Sequence, residues 1–396
     1  MIKVFVTGVG VISAIGTCLD ENMQALRLEK TGIGVDKYLS TKLQVPVGQV
    51  KYSNEELKSL LGLNTDCIIS RTALLGMLAA KEAIIDANLE FKTQKIGLIS
   101  ATSVGGIDLS ENFYKSFRED PNSGGNLEEV LMHDCSASTL AIAQHLGIEG
   151  FTSTISTACS SASNAIMLGA RMIKAGMLDT VLVGGTDALC RFTLNGFNSL
   201  KLLDEEVCRP FDQNRKGLNL GEGAGFLVLQ DESCLSRTPY CELTGYSNVN
   251  EAYHQAGSTA EGDGAFAAMT EALRVAGLQP SEIDYVNVHG TGTPTNDSSE
   301  GNALKRLFGN QVPAFSSVKS YIGHTLGASE GIEAVYSVLS VAKGYIYPNL
   351  NFEDSMVGLN LYPATKWEEN ARIKHVLSNS FGFGGNNSSL VFSSIK

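Results

Sequence analysis

Short runs of β-branched and apolar residues alternate along the chain with longer segments whose apolar residues recur at helical spacing. In Arg71–Ala87 the apolar residues fall near a 3.6-residue period, which predicts an amphipathic helix. Thr180–Thr186 is a continuous apolar run, as buried strands often are. The alternation predicts an α/β fold with helices layered on a largely parallel sheet.

The pattern predicts strands at Ile2–Thr7, Ile96–Ser100, Thr180–Thr186, Tyr285–His289, Ala314–Val318, Val376–Ser380 and Ser388–Ser393, and helices at Arg71–Ala87, Ser160–Gly176, Gly264–Ala276, Ser298–Phe308 and Gly331–Lys343. The second half of the chain repeats the order of elements in the first, although no fixed-period sequence repeat accompanies it. The polar segment Gln230–Thr238 lies between them. We therefore predict two similar halves, residues 1–235 and residues 236–396, in one two-lobed molecule.

Composition narrows the class of protein. The 396 residues are 43% hydrophobic and carry a net charge of −12, which argues against a general binder of nucleic acid or anionic membrane. The sequence contains no run of about 20 apolar residues, so no membrane-spanning helix is expected. The opening Met1–Gly8 is expected to form a strand and turn. It is not expected to be a signal peptide, since Gly8 and Gly10 interrupt the apolar run. A cytoplasmic protein is therefore expected.

The eight cysteines form no Cys-x-x-Cys pair, and no histidine-rich segment stands at zinc-ligand spacing. In a reducing compartment these thiols are expected to be free. We expect neither a metal ion nor a cofactor.

Cys159 lies between a strand-like segment and the helix predicted from Ser160. At a helix N-terminus the unpaired N–H groups and the helix dipole favour a thiolate, which is the nucleophilic form. Small neighbours such as Ala158 and Ser161 leave space for an acyl group. The alternative is a buried structural cysteine, which is the interpretation given to the other seven.

Two histidines follow predicted strands of the second half. His289 ends one strand and precedes a glycine-rich loop, a position where α/β proteins often place active groups. His324 follows another strand and a short loop that carries Lys319. The next helix is strongly apolar, so Lys319 is expected to be buried and to need a partner, for which Glu333 is the candidate. The alternatives are a turn-capping histidine and a solvated lysine.

Two neutral imidazoles suit a decarboxylative condensation. Their N–H groups can hold the enolate that forms when a malonyl thioester loses carbon dioxide. The resulting carbanion would attack an acyl group on Cys159, and the backbone amides of Cys159 and Phe383 would hold the second oxyanion. The turn around Phe383 lacks Gly-Lys-Ser/Thr and a following helix, which argues against a phosphate loop; a glycine-rich hairpin is the other interpretation.

These motifs together resemble the β-ketoacyl-[acyl-carrier-protein] synthases, and most of all their elongating class with one cysteine and two histidines. The segments that carry the resemblance are Thr157–Ser161, His289–Pro294, Lys319–Ser320 with Gly323–His324, Gly382–Gly385, the opening Val6–Ser13, and Arg209–Asp212 with its continuation to Gly225. The resemblance implies a thiolase-like α/β fold with two similar βαβαβαββ halves in five layers. It also implies a dimer.

The resemblance assigns roles to single residues. It implies Cys159 as the acyl-carrying nucleophile, and His289 and His324 as the decarboxylation pair. The remaining residues support the oxyanion site and the gate: Lys319 and Glu333 as a supporting pair, Phe383 as the gating side chain, and Gly384, Thr291 and Thr293 beside them.

The implied reaction joins an acyl group on Cys159 to malonyl-loaded acyl carrier protein and yields 3-oxoacyl carrier protein, carbon dioxide and free carrier protein, in fatty acid elongation. An alternative is a ketosynthase of an aryl polyene-type or type II polyketide pathway. Another is a non-catalytic chain-length partner, against which the intact thiol argues. A degradative thiolase would usually have a second cysteine near the C-terminus, and none follows Cys241. A cysteine hydrolase would need a base that activates water.

The acyl carrier protein is the expected partner, with a second copy of the chain or an inactive homologue completing a dimer. Because the carrier is acidic, Lys201, Arg209 and Lys216 are the candidate docking residues. Departures from the family pattern leave the acyl substrate open. The chain is somewhat short, and Met132–Ser136 lacks the usual proline-containing run; Ser329-Glu330 replaces smaller residues, and Asn386 stands where threonine is usual.

Overall fold

The computed structural model describes residues 2–89, 96–122 and 124–395. Its strands are β1 (Phe5–Ile12), β2 (Ile33–Gly34), β3 (Val47–Gly48), β4 (Ile96–Ala101), β5 (Thr152–Ile155), β6 (Thr180–Asp187), β7 (Gly223–Gln230), β8 (Cys241–Asn250), β9 (Tyr285–Asn287), β10 (Ala314–Ser316), β11 (His375–Gly382) and β12 (Asn386–Ser393). Its α-helices are α1 (Leu19–Arg27), α2 (Asn54–Leu61), α3 (Arg71–Asp86), α4 (Ile107–Glu119), α5 (Glu128–Leu131), α6 (Cys135–Leu146), α7 (Ser161–Lys174), α8 (Arg191–Ser199), α9 (Asp263–Ala276), α10 (Pro294–Phe308), α11 (Lys319–Ile322) and α12 (Ser329–Lys343).

Two five-stranded units share one strand order. The sheet runs β10-β9-β11-β12-β8-β1-β7-β6-β4-β5. Read from its outer edge, the first unit is β5-β4-β6-β7-β1 and the second is β10-β9-β11-β12-β8. In both units the order along the chain is third, second, fourth, fifth and first. The fifth strand, β7 or β12, is antiparallel to both of its neighbours. A short antiparallel ladder between β1 and β8 joins the units.

Helices fill the space around and between the two units. α3 and α6 cover the outer face of the first unit, and α9 covers that of the second with α10 beside it. α7 and α12 contact strands of both units and form the central layer. The order βαβαβαββ therefore occurs twice, in five layers, as expected for a thiolase-like fold.

The first strand differs from its prediction. The glycines were expected to end the strand, yet β1 continues through Gly8 and Gly10 to Ile12. A Cβ on Gly8 would lie 2.2 Å from the carbonyl oxygen of Ala83, and one on Gly10 would lie 2.1 Å from that of Ala79. These glycines therefore allow α3 to pack directly on the strand.

The other predicted elements recur with boundaries shifted by a few residues. The largest shift is at α10, which begins at Pro294 and not at Ser298, because Thr293 caps the helix and proline fits its first turn. β9 ends at Asn287, so His289 lies in the loop beyond it.

The central helix α12 is buried from Ser329 to Val341, as its apolar sequence predicted. The proposed boundary segment Gln230–Thr238 connects β7 to β8, which lie near β1 in the shared sheet. Across the described ranges, no helix is long and apolar enough to cross a membrane.

Candidate active site

Cys159 lies on a sharp turn between β5 and α7. The preceding residue, Ala158, has a φ of 55°, in the left-handed region that alanine rarely adopts. The Ser161 side chain accepts a hydrogen bond from the Thr157 N–H at 2.8 Å, and the Ser380 hydroxyl donates to the Cys159 carbonyl at 2.9 Å. These contacts from α7 and β11 hold the strained turn and present the thiol at the junction of the two halves.

His324 contacts the thiol from the second half. Its Nε2 lies 3.1 Å from Cys159 Sγ. Its Nδ1 accepts a hydrogen bond from the Leu326 N–H at 3.2 Å and lies 2.8 Å from the Ser329 hydroxyl. Because a backbone N–H can only donate, the proton of the neutral ring is on Nε2, which therefore donates toward the sulfur.

His289 completes the cluster. Its ring centre lies 5.4 Å from that of His324, with the planes nearly perpendicular at 86°. The Glu300 carboxylate accepts hydrogen bonds from the backbone N–H groups of His289 and Gly290, at 2.9 and 2.8 Å. Ligand-type atoms of Cys159, His289 and His324 all lie within 4.8 Å of one another. The structure thus brings together three residues that are distant in the sequence.

The ion pair expected behind the histidines is present. Lys319 Nζ lies 2.5 Å from Glu333 Oε1, and both side chains are about 1% exposed. Burial, followed by the positive charge of Lys319, lowers the pKa of His289 and of His324 well below the ordinary value near 6.5. Both imidazoles are therefore neutral at physiological pH and can act as hydrogen-bond donors.

The thiol departs from the sequence-based expectation. Burial raises the pKa of Cys159 to about 11, although the Phe383 backbone N–H and the charge of Lys319 both lower it. The unpaired helix N–H groups had suggested a thiolate, but loss of solvent outweighs them in the closed site. Cys159 therefore rests as a thiol.

The same three side chains could in principle hold a metal ion, because thiolate and imidazole are typical zinc ligands. His324 Nε2 and Cys159 Sγ are hydrogen-bonded directly to each other, so the two atoms that would bind a metal ion face each other and not a shared ion. The buried cation of Lys319 beside the site also disfavours a divalent ion. This geometry suits a hydrogen-bonded catalytic cluster better.

The glycine-rich turn covers the nucleophile. A Cβ on Gly382 would lie 3.2 Å from the Cys159 backbone nitrogen, so this turn and the nucleophile loop are closely packed. The Phe383 ring stacks on Phe197 at 5.6 Å. Gly384 has a φ of 79° and donates its N–H to the Gln255 carbonyl at 2.7 Å. The Gly384 amide therefore supports the turn and does not face the sulfur.

A cavity of about 90 Å³ lies in front of the thiol. Its lining includes all the predicted residues that could meet a substrate: Cys159, His289, His324, Thr291, Thr293 and Phe383. The hydroxyls of Thr291 and Thr293 lie 2.9 Å apart and are buried. They therefore form a polar wall, which Thr295 and Asn296 extend, opposite apolar side chains such as Phe197 and Leu202.

The Arg209–Asp212 segment supports this wall. The buried Asp297 carboxylate accepts hydrogen bonds from the N–H groups of Phe211, at 2.8 Å, and of Gly292, at 3.2 Å. Of the three proposed docking cations, Arg209 pairs with Glu353 at 3.2 Å, while Lys201 and Lys216 are exposed.

Sequence reasoning missed several residues of the site. Glu300 and Asp297 hold the His289 loop through backbone groups. Each is a single polar residue within a helix, and nothing in its sequence setting distinguishes it from a solvated one. Ser329 had been noted only as larger than the residue usual at its position, yet it contacts the His324 ring. Asn386 had been noted only as unusual, yet its side-chain oxygen accepts hydrogen bonds from Ser160 at 2.8 Å and Asn248 at 2.6 Å.

Comparisons with known proteins agree on one family. The model of the β-ketoacyl synthase N-terminal domain matches residues 1–234, and that of the C-terminal domain matches residues 240–353. A 3-oxoacyl-[acyl-carrier-protein] synthase 2 of Synechocystis is 34% identical over 98% of this chain and 97% of the relative.

Two solved structures extend the comparison. The ishigamide ketosynthase/chain length factor has a TM-score of 0.93 and 28% identity, with both chains covered completely. The ketosynthase ApeO, solved in complex with its chain length factor ApeC from Xenorhabdus doucetiae, has a TM-score of 0.86 and 30% identity, covering 100% of this chain and 98% of its own.

Proposed function

Because the chain belongs to the β-ketoacyl synthase family, we propose that it condenses an acyl group held on Cys159 with malonyl-loaded acyl carrier protein. The products are 3-oxoacyl carrier protein, carbon dioxide and free carrier protein. The observation that carries this proposal is the convergence of Cys159, His289 and His324, from both halves, on one small cavity.

The first step transfers the acyl group. The sulfur of Cys159 attacks the carbonyl carbon of an acyl thioester, the bond to the carrier's sulfur breaks, and the proton of Cys159 ends on the released carrier thiol. The thiol must ionise against its raised pKa, and the Nε2–H of His324 at 3.1 Å and the charge of Lys319 both stabilise the developing thiolate. One thioester is exchanged for another, so the step is close to thermoneutral.

The second step removes carbon dioxide from the malonyl group. The bond between the α-carbon and the carboxylate breaks, and its electron pair moves into the enolate of the thioester. The N–H groups of neutral His289 and His324 hold the enolate oxygen. Since both imidazoles are neutral, they donate hydrogen bonds without delivering a proton to the carbanion.

The third step forms the new carbon–carbon bond. The enolate carbon attacks the acyl carbonyl on Cys159, and the N–H groups of Cys159 and Phe383 stabilise the oxyanion. Collapse of this intermediate breaks the bond to Sγ and releases Cys159 as a thiolate, which takes up one proton from solvent to return to the resting thiol. The stacked Phe383 lies over the cavity and would move aside to admit each substrate.

A saturated fatty acyl chain is the primary substrate proposal, supported by the relatives named 3-oxoacyl-[acyl-carrier-protein] synthase 2. A specialised polyene or type II polyketide pathway is the second, supported by the likeness to the ishigamide and ApeO ketosynthases. For that pathway we propose a heterodimer with an inactive homologue, and for fatty acid elongation a homodimer. The cytoplasm is the proposed location, and the surface with Lys201, Arg209 and Lys216 the proposed carrier-docking site.

The test is a panel of saturated, conjugated polyenoyl and aryl-enoyl thioesters of the carrier protein, each offered with malonyl carrier protein. The 3-oxoacyl products are identified by mass spectrometry. Extension of saturated chains supports fatty acid elongation, and extension of conjugated chains alone supports the specialised pathway. If no chain is extended, alone or with an added chain-length partner, the condensing function is wrong.

A further inference from the structure

The His324 ring receives two hydrogen-bond donors at the nitrogen that faces away from the thiol. The Leu326 N–H donates to Nδ1 at 3.2 Å, and the Ser329 hydroxyl lies 2.8 Å from the same nitrogen. The Leu326 donor commits Nδ1 to act as an acceptor, so the Ser329 hydroxyl must also donate to it. The ring proton is consequently held on Nε2, toward Cys159.

The proton of Ser329 is itself directed. The Thr325 hydroxyl donates to Ser329 Oγ at 3.2 Å, which leaves the Ser329 hydrogen free to point at His324. Thr325, Ser329 and His324 are 0%, 1% and 2% exposed. Bulk water therefore has little access to this chain of hydrogen bonds, and a missing partner would not be replaced at once.

The backbone next to the His324 ring adopts a strained conformation that directs the Leu326 N–H at Nδ1. Leu326 has a φ of 52°, in the left-handed region, while its N–H contacts His324. The next residue, Gly327, donates its N–H to the buried Asp187 carboxylate at 2.7 Å. Surrounding contacts thus hold a costly conformation that aims one donor at Nδ1.

The other histidine lacks such a contact. In the described part of the chain, no hydrogen-bond partner reaches Nδ1 of His289. The Ser329 hydroxyl therefore distinguishes the two imidazoles, and its effect falls on the ring that contacts the nucleophile.

We propose that Ser329 is a positioning residue whose hydroxyl, together with the Leu326 N–H, holds the ring orientation and tautomer of His324, so that Nε2–H faces the thiol and the malonyl thioester. This inference rests on the proposed condensing function for its kinetic consequences, although the tautomer itself does not depend on it. Protonation of Nδ1 would break the Leu326 hydrogen bond and force the Ser329 hydroxyl to reverse.

The kinetic test compares Ser329→Ala with Ser337→Ala. Ser337 is also a buried serine of α12, but its hydroxyl has no partner among the described residues, which makes it a matched control. Loss of the Ser329 hydroxyl should lower kcat for carbon dioxide release about fivefold, the size expected for one buried hydrogen bond. KM should stay unchanged, and the acid limb of the pH profile should move to higher pH. Ser329→Thr, which keeps a hydroxyl, should recover part of the rate.

The structural test uses nitrogen-15 NMR of histidine-labelled protein, which carries six histidines. The His324 signals, assigned with His324→Asn, should show a single Nε2–H tautomer in the parent and in Ser337→Ala, and a mixed or more readily protonated ring in Ser329→Ala. If Ser329→Ala leaves both the tautomer and the pH profile unchanged, the proposal is wrong. If Ser329→Ala changes the tautomer but the parent protein releases no carbon dioxide, the positioning role stands and the proposed function is wrong.

Discussion

Lys319 and Glu333 form an ion pair of 2.5 Å in which each side chain is about 1% exposed. Two charges are rarely buried so fully unless both are satisfied, because the loss of hydration is costly. The positive member of the pair lowers the pKa of Cys159, His289 and His324. The pair thus links the stability of the central helix to the chemistry of the site.

Lys319→Met should therefore affect both properties. It leaves Glu333 as an unpaired buried charge and should destabilise the protein by about 3–5 kcal/mol. Acyl transfer to Cys159 should slow on the order of tenfold, the equivalent of one pKa unit at the thiol, because the Lys319 charge lowers the pKa of Cys159. The double variant Lys319→Met with Glu333→Gln removes both charges and should regain stability in urea unfolding without regaining the rate. Recovery of the rate along with stability would show that the lysine charge has no part in the reaction.

Glu330 should make the stability depend on pH. Burial, followed by the charge of Glu333, raises the pKa of Glu330 from 4.5 to about 8. Between these values the folded state keeps a proton that the unfolded state has released, so stability should fall as pH rises from about 4.5 to about 8 and then level off.

Glu330→Gln is neutral at every pH and should remove this slope. The variant should be more stable than the parent at pH 8 by roughly 1–3 kcal/mol, with the difference shrinking toward pH 5. Thermal unfolding across this pH range measures the effect, with Glu205→Gln as the control at an exposed position. If the stability of the parent and of Glu330→Gln changed with pH in parallel, Glu330 would not titrate between pH 4.5 and 8.

Decarboxylation should be insensitive to pH where an ordinary histidine titrates. Because the pKa of His289 and of His324 lies well below 6.5, both rings stay neutral donors from pH 8 down to about pH 6. Initial rates of carbon dioxide release should therefore form a plateau over this range and decline only at lower pH. A decline with its midpoint near 6.5 would contradict the neutral assignment, provided that circular dichroism shows a folded protein throughout.

Phe383→Ala should separate acyl loading from condensation. Removal of the ring opens the cavity in front of Cys159 to water and removes the stacking on Phe197. Loading of the acyl group should persist, while hydrolysis of the acyl-enzyme should rise relative to condensation. The ratio of free acid to 3-oxoacyl product measures this, and Phe192→Ala, at an exposed position of α8, is the control. An unchanged ratio would remove Phe383 from the gate.

The sequence was informative where chemistry depends on local order. The turn at Cys159, the burial of Lys319 and its pairing with Glu333 followed from short segments and the apolar pattern around them. It was misleading where distant segments decide the outcome. The expectation of a thiolate at Cys159 considered only the helix start, whereas burial by His324 and the Phe383 turn sets the balance.

The same reason explains the residues that were missed. Glu300 was missed, and Ser329 was noted only for its size, because they act on histidines 11 and 5 positions away through contacts that exist only after their helices have packed. Gly8 and Gly10 were taken as strand breakers because the close approach of α3 is a tertiary feature. Local patterns thus predicted the elements and the reacting groups, but not the partners that set their charge and orientation.

The most direct test of the account is the mass of the peptide containing Cys159 after incubation with an acyl carrier protein thioester, before and after addition of malonyl carrier protein. We predict an acyl adduct on Cys159 that is lost when malonyl carrier protein is added, with the acyl group recovered as a 3-oxoacyl product two carbons longer. Cys159→Ser should carry no thioester adduct. An adduct on another residue, or one that malonyl carrier protein does not discharge from correctly folded protein with its partner present, would contradict it.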